Sequence, residues 1–206
     1  MTQSCTIPIL HGQKSKVSKI RPVFLDADGV LWQDRGAGSI FLTSAGVSFL
    51  RQIHLIKGLF SSSSLFVISN QTCVARGLCK EVVLRERIQY ILNSLQNISP
   101  SMLFSYCPHH PSATDLSYQK NCLSRKPNPN QILSILEEFN LDVGQSIFVG
   151  DRITDLEAAE KLGMREKYLI TNPRAFEINE LSHNFEWSQT IEFKLISELS
   201  ELERFV

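Results

Sequence analysis

Short apolar runs alternate along this chain with stretches of helical periodicity. Val23-Phe24-Leu25, Leu65-Phe66-Val67-Ile68, Met102 to Tyr106, Ile147-Phe148-Val149 and Tyr168-Leu169-Ile170 are the runs. Continuous rather than alternating hydrophobicity predicts strands buried on both faces. Between them, Val47, Leu50, Ile53 and Leu55/Ile56 predict a helix over Ser44 to Lys57. Leu84, Ile88, Ile91, Leu92 and Leu95 trace one stripe from Lys80 to Gln96, with Glu81, Arg85 and Arg87 placed elsewhere. Ile132, Leu133, Leu136 and Phe139 mark a further helix, and Thr154 to Leu162 another that stops at Gly163. Ile196, Leu199 and Leu202 predict a closing helix over Ile191 to Phe205. Strands alternating with helices imply an α/β fold, a parallel sheet wrapped by helices on both faces. Residues 107–130, rich in Pro, His, Ser and Asn, read as an irregular loop, and residues 1–20 as a loose N-terminal arm preceding one domain over 21–206.

Composition narrows the possibilities. With 206 residues the chain fits one domain, and 43% hydrophobic against 20% charged residues excludes a disordered or low-complexity protein. Lys+Arg and Asp+Glu are both 21, so there is no basic excess to neutralise a nucleic-acid backbone or an anionic membrane. The longest uncharged stretch, Gly58 to Ala75, is interrupted by Ser61–Ser64, Ser69, Asn70, Gln71 and Thr72, and does not make a span. Ile7-Pro8-Ile9-Leu10 is too short for a signal-peptide core. An odd set of five cysteines (Cys5, Cys73, Cys79, Cys107 and Cys122) then fits a reduced, cytoplasmic protein whose thiols are available to metals. A small-molecule substrate and a monomer are expected.

Polar clusters follow the predicted strands: Asp26-Ala27-Asp28-Gly29, Ser69-Asn70-Gln71 and Gly150-Asp151, with Arg125-Lys126 in the long loop. In a doubly wound sheet these would converge beyond the carboxyl ends of the strands. Two carboxylates two residues apart face opposite ways in extended chain, so Gly29 is needed to turn both toward one site. Alone this pattern is an ordinary Asx turn. A hydroxyl from Ser69, a cation from Lys126 and a third carboxylate from Asp151 change the reading, because three acids and one base in one place call for a divalent cation, and Mg²⁺ with its oxygen preference fits.

VFLDADGVLW, VISNQT, SRKPNP and FVGDRITD, in this order, resemble the four motifs of the haloacid dehalogenase-like phosphohydrolases. SNQTCVARG, YCPHHP and SRKPNP are more narrowly similar to the D-glycero-D-manno-heptose 1,7-bisphosphate phosphatases and the related histidinol-phosphatases, over about residues 22 to 165. The resemblance implies a Rossmann-type sheet without a large cap domain. It implies Asp26 as nucleophile, Asp28 as general acid and base, and Ser69 and Lys126 as ligands of the transferring phosphoryl group. Mg²⁺ would be held by the Asp26 and Asp151 carboxylates and the Asp28 carbonyl. Asp155, one helical turn beyond Asp151, would support that site or favour the helix dipole. Asn70, Gln71 and Thr72, and Asp34, Arg35, Gly36 and Ala37 after the first motif, would touch the sugar. Arg125 and Arg152 would meet further substrate charge.

The same resemblance implies a structural Zn²⁺ on Cys107, His109 and Cys122. The fourth place is Ser124, where the family has cysteine, leaving water, His110 or nothing to complete the site. Cys73 stands where the family has glycine. Histidinol phosphate and a 3′-phosphorylated polynucleotide are the alternative substrates, and a non-catalytic binding protein on this scaffold the alternative of another class. Trp32 and Trp187 are read as packing, and His11, His54 and His183 as ordinary histidines.

Overall fold

The structure is a computed structural model and describes residues 7–12, 21–32, 40, 47–59, 63–97, 102–171 and 191–204. Seven strands form a single sheet: β1 (Ile9–His11), β2 (Val23–Leu25), β3 (Leu65–Asn70), β4 (Leu103–Cys107), β5 (Ile147–Gly150), β6 (Glu166–Ile170) and β7 (Lys194–Ile196). The spatial order is β1-β4-β3-β2-β5-β6-β7, with β1 antiparallel and the rest parallel. Taken by themselves, the parallel strands follow the doubly wound order 3-2-1-4-5-6, which reverses between β2 and β5. Helices α1 (Val47–Leu59), α2 (Thr72–Ala75), α3 (Glu81–Leu95), α4 (Asn130–Phe139) and α5 (Ile153–Glu160) connect them.

The continuous apolar strands serve two cores because successive side chains leave opposite faces. Val23, Leu25, Val67, Phe104 and Val149 pack with Ile53 and Ile56 of α1 and the Leu84–Leu95 stripe of α3. Phe24, Phe66, Ile68 and Phe148 pack with Ile132, Ile135 and Leu136 of α4 and Ala158 and Ala159 of α5. Register places Phe24 beside both Phe66 and Phe148, and the Phe24 and Phe66 rings stack with centroids 5.0 Å apart.

Two expectations are corrected at the ends of the sheet. The N-terminal arm is not loose throughout, since Ile9–His11 pairs antiparallel with Leu103–Ser105. Its apolar patch covers the outer edge of β4, whose backbone groups would otherwise lack partners. The expected closing helix is instead β7, parallel to Tyr168–Ile170, followed by a 3₁₀ segment over Leu199–Arg204. Ile196, Leu199 and Leu202 recur every third residue, which is the 3₁₀ repeat. Between β4 and α4 only a 3₁₀ turn (Leu116–Tyr118) interrupts the loop, so no cap domain is inserted there. Among the described residues no helix is long and apolar enough to cross a membrane.

Candidate active site

The chain leaves β2 at the point where the strand order reverses. The Asp26 N–H donates to Val149 O of the neighbouring strand at 2.9 Å, holding the first residue beyond β2 in line with the sheet. The backbone then folds tightly: Leu31 N and Trp32 N both donate to Ala27 O, and Gly29 N donates to Trp32 O at 2.7 Å. Gly29 has φ +87°, and a Cβ there would lie 2.1 Å from Asp151 Oδ2. Glycine is required both for the turn and for the approach of the Asp151 carboxylate.

Lys126 is buried at the centre of the cluster. Its Nζ donates to Asp26 Oδ1 at 2.5 Å, to Ile68 O at 2.8 Å and lies 2.7 Å from Asp155 Oδ1. Three acceptors use the three donors of the ammonium. Burial works against the Lys126 charge, but Asp155 and Asp26 outweigh it and hold its pKa above the ordinary value. Asp155 is buried as well, and its Oδ2 accepts from the Arg152 N–H at 3.1 Å, closing the first turn of α5. A Cβ on Gly150 would stand 2.4 Å from Asp155 Cβ, so a second glycine makes room for a second carboxylate.

Oxygens of Asp26, Asp151 and Asp155 come within 4.8 Å of one another, with Lys126 the cation bonded among them. Burial pushes the Asp26 carboxyl up to about 7, opposed by Lys126 and reinforced by Asp155 and Asp28. Asp151 is pushed up to about 9, first by burial and then by Asp26 and Asp155. Asp151 Oδ1 is buried without a hydrogen-bond partner, the nearest cation being Arg152 Nε at 4.0 Å. An orphaned carboxylate oxygen beside two further carboxylates is an unsatisfied arrangement for protein alone and a fitting one for a hard divalent cation.

The second carboxylate of the motif, Asp28, is only half-buried. Trp32 Nε1 donates to its Oδ1 at 2.6 Å and Gln71 Nε2 to its Oδ2 at 3.0 Å. The same Gln71 amide donates to Ser69 Oγ at 2.7 Å, so one side chain ties the acid to the hydroxyl. Trp32 is a packing residue, with its ring stacked near Phe104, and a donor to Asp28, a role that its sequence context does not reveal. Asn70 holds Lys126 by the backbone, donating to its carbonyl and accepting from its N–H, both at 3.1 Å. Buried Gln131, absent from the expected site, donates to Ser124 O at 2.6 Å and to Ser69 O at 3.4 Å. An amide at the apolar-face spacing of an amphipathic helix, four residues before Ile135, is the sequence signal that would have found it.

Arg125 Nη1 donates to His109 O at 3.1 Å and reaches Thr72 Oγ1 at 3.4 Å, joining the second motif to the long loop. Burial lowers its pKa, and Arg152 and Arg76 add to that fall through repulsion. Arg152 itself is half-exposed, and Asp34, Arg35, Gly36 and Ala37 lie outside the described residues.

A second cluster lies in the long loop. Ligand atoms of Cys107, His109 and Cys122 fall within 4.8 Å of one another, with Cys107 Sγ 3.8 Å from His109 Nδ1. That separation suits two ligands of one tetrahedral ion. Burial keeps the His109 pKa below its ordinary value, favouring the neutral ring a metal needs. His110 is turned away to accept the Ser112 N–H at 3.0 Å. Tyr106 and Tyr118 each donate to the Glu81 carboxylate at 2.9 Å, pinning the loop to α3.

Residues 116–167 match the haloacid dehalogenase-like hydrolase family. A D-glycero-β-D-manno-heptose-1,7-bisphosphate 7-phosphatase of Haemophilus ducreyi is 32% identical over 162 residues, covering 75% of this chain and 85% of that protein. One of Photorhabdus laumondii is 29% identical over 160 residues, covering 73% and 80%. The fold is that of the D,D-heptose 1,7-bisphosphate phosphatase from B. bronchiseptica, solved with magnesium and phosphate, at TM-score 0.64 and 22% identity over 90% of this chain and 97% of that one. Four motifs converging on one edge of a doubly wound sheet, together with these likenesses, mean that the chain belongs to the haloacid dehalogenase-like phosphatases, in the family of the heptose-1,7-bisphosphate 7-phosphatases.

Proposed function

We propose that this phosphatase is a Mg²⁺-dependent phosphomonoesterase that works through an aspartyl-phosphate on Asp26 and removes the 7-phosphate of D-glycero-D-manno-heptose 1,7-bisphosphate. The observation that carries the reading is the orphaned Asp151 Oδ1 beside Asp26 and Asp155 at the switch point of the sheet. Asp26 and Asp151, with Asp155 at the same site and the Asp28 carbonyl implied by the family, would hold Mg²⁺. When bound, the ion supplies charge neutralisation that lets a carboxylate approach an anionic phosphate.

The residues of the chain divide the remaining work. Lys126 occupies Asp26 Oδ1, so attack on phosphorus falls to Oδ2. The Oδ2–P bond forms as the ester P–O bond breaks, and Asp28 gives its proton to the departing alkoxide. Asp28 then takes a proton from water, whose oxygen displaces Asp26 from phosphorus and regenerates the free carboxylate. Trp32 and Gln71 each hold one oxygen of Asp28 and so fix the plane of the acid through both steps. The Ser69 hydroxyl stabilises the equatorial oxygens, where negative charge spreads in the transition state, by hydrogen bonding. Lys126, its donors held by Asp26, Asp155 and Ile68 O, stabilises them by its charge.

Thr72 and Arg125 form the substrate-facing part of this arrangement, with Asn70 and Gln71 acting behind it through Lys126 and Asp28. Arg125, with the positive charge of Arg152 and Arg76 around it, would meet the second phosphate of a bisphosphate. Residues 34–37 are proposed to contact the sugar. Zn²⁺ on Cys107, His109 and Cys122 would hold the loop that aims Arg125 and Lys126. Free thiols at Cys73, Cys79, Cys107 and Cys122 are in keeping with a cytoplasmic enzyme.

The test is a panel of both anomers of heptose 1,7-bisphosphate, other sugar phosphates, histidinol phosphate and a 3′-phosphorylated oligonucleotide, assayed with Mg²⁺. The heptose bisphosphate should give the highest kcat/KM, and Asp26→Asn should abolish turnover with the fold intact. Preference for histidinol phosphate would overturn the substrate, and near-full turnover in Asp26→Asn the mechanism.

A further inference from the structure

Cys73 and Cys79 lie outside both metal clusters, yet their sulfurs are 3.3 Å apart. The contact is built by the backbone. Helix α2 ends in a Schellman turn, in which Leu78 N donates to Cys73 O and Gly77 N donates to Val74 O, both at 2.9 Å. Gly77, at φ +68°, is the left-handed residue this turn requires. The chain therefore doubles back, and Cys79, two residues on, meets the sulfur six positions earlier. Cys73 is 1% exposed, whereas Cys79 is only half-buried and open to small molecules from solvent.

The pair is also wired to the acid. Cys79 Sγ–H points to Cys73 Sγ, and Cys73 Sγ lies 3.8 Å from Gln71 Oε1. The other end of the Gln71 amide donates to Asp28 Oδ2 and Ser69 Oγ. One chain of polar contacts thus runs from the half-exposed thiol to the group assigned here as general acid and base.

We propose that Cys73 and Cys79 are an oxidisable dithiol, converted by a small peroxide to a disulfide that releases Gln71 and lowers phosphatase turnover. The effect on turnover rests on the assignment of Asp28 above; the disulfide does not. In the first step the Cys79 sulfur takes OH from the peroxide, the O–O bond breaks and water leaves. In the second the Cys73 sulfur attacks the Cys79 sulfenic sulfur, the S–O bond breaks, and a second water departs with the remaining thiol proton. Two thiols are oxidised and one peroxide reduced, and an external dithiol reverses the change. Oxidation removes both S–H donors and draws the sulfurs together by roughly 1 Å. Gln71 Oε1 then loses the S–H donor that meets it, and the moving sulfur weakens the hold on an amide left with only its Nε2 bonds to Asp28 and Ser69.

The full-length protein, reduced and then exposed to hydrogen peroxide, is digested with trypsin and analysed by mass spectrometry. Arg76 lies between the cysteines, so the disulfide appears as a cross-link between peptides 58–76 and 77–80. Parallel measurements follow the Gln71 side-chain amide resonances and turnover of a phosphate ester. The expected result is the cross-link, a shift of those resonances and a kcat lowered by up to the order of 10²-fold, all restored by dithiothreitol. Cys79→Ala should keep its reduced activity and lose the response. Absence of the cross-link, or a Cys107–Cys122 disulfide in its place, overturns the proposal, and so does a cross-link that leaves Gln71 unmoved. Should the reduced protein hydrolyse no ester, the functional reading fails alone, because the cross-link and the resonances still decide this one.

Discussion

Asn70 grips Lys126 by its backbone, with Oδ1 accepting the Lys126 N–H and Nδ2 donating to the Lys126 carbonyl, both at 3.1 Å. The two residues are 56 positions apart, and this clamp fixes where the Lys126 ammonium enters the carboxylate cluster. Asn70→Ala should therefore lower kcat while changing KM little, by up to the order of 10²-fold, the cost of misplacing a reacting group by about 1 Å. Asn70→Asp keeps the acceptor, loses the donor and should fall between. Steady-state kinetics check this, and a rise in KM alone would mean that Asn70 binds substrate directly.

The carboxylate cluster predicts how stability responds to pH. Burial raises the Asp26 and Asp151 carboxyls to about 7 and about 9 in the fold, against 3.8 for a solvated aspartate in the unfolded chain. Between these limits the native state holds more protons than the unfolded chain, so stability falls as pH rises from about 4 to about 9. Mg²⁺ held as proposed would require the ionised carboxylates and should offset the loss, by about 2.7 kcal/mol at a hundredfold excess over Kd. Thermal melts with chelator and with Mg²⁺ test both statements. The Mg²⁺ gain should be larger at pH 8 than at pH 5, and equal gains would count against the cluster as the metal site.

Gly29→Ala tests the close approach of the two acidic loops. The new Cβ would fall 2.1 Å from Asp151 Oδ2 at a φ of +87°, combining left-handed strain with overpacking, on the order of 3 kcal/mol together. Urea unfolding should show that loss, and Mg²⁺ stabilisation should weaken with it. A loss below about 1 kcal/mol with the Mg²⁺ response intact would mean that the Asp151 loop moves freely, against the geometry.

The sequence made the parallel sheet and its switch point legible because buried strands announce themselves as apolar runs, as Val23–Leu25 and Ile147–Val149 do. Asp26, Lys126 and Asp151 were legible because each follows such a run or a recognisable motif. Residues acting through others were not. Trp32 reads as core, and only a fold that returns it to Asp28 makes it a donor. Asn70 and Gln71 have the chemistry of substrate contacts, yet their partners are Lys126, Asp28 and Ser69, set by tertiary contact. Edge strands β1 and β7 escape a reading by pattern because, unlike the equally short β2, they are only partly buried and carry no continuous run of buried apolar residues.

The loop cluster of Cys107, His109 and Cys122 predicts stoichiometric zinc in protein purified without chelator. Two thiols and an imidazole within 4.8 Å provide three ligands, and Ser124 supplies no thiolate for the fourth. Burial and the neighbouring Cys122 push the Cys107 thiol up to about 12. Zinc must displace that proton, so its affinity should fall as pH is lowered. Cys107→Ser should lose the metal and lower the melting temperature, because the loop is then held only by contacts such as those of Tyr106 and Tyr118 with Glu81. Ser124→Cys offers a fourth ligand and should slow zinc loss to a chelator. Elemental analysis with a chelator time course decides the matter. Wild-type protein that is fully active and free of zinc would show that the loop is held without metal, and that Arg125 takes its place through His109 and Thr72 alone.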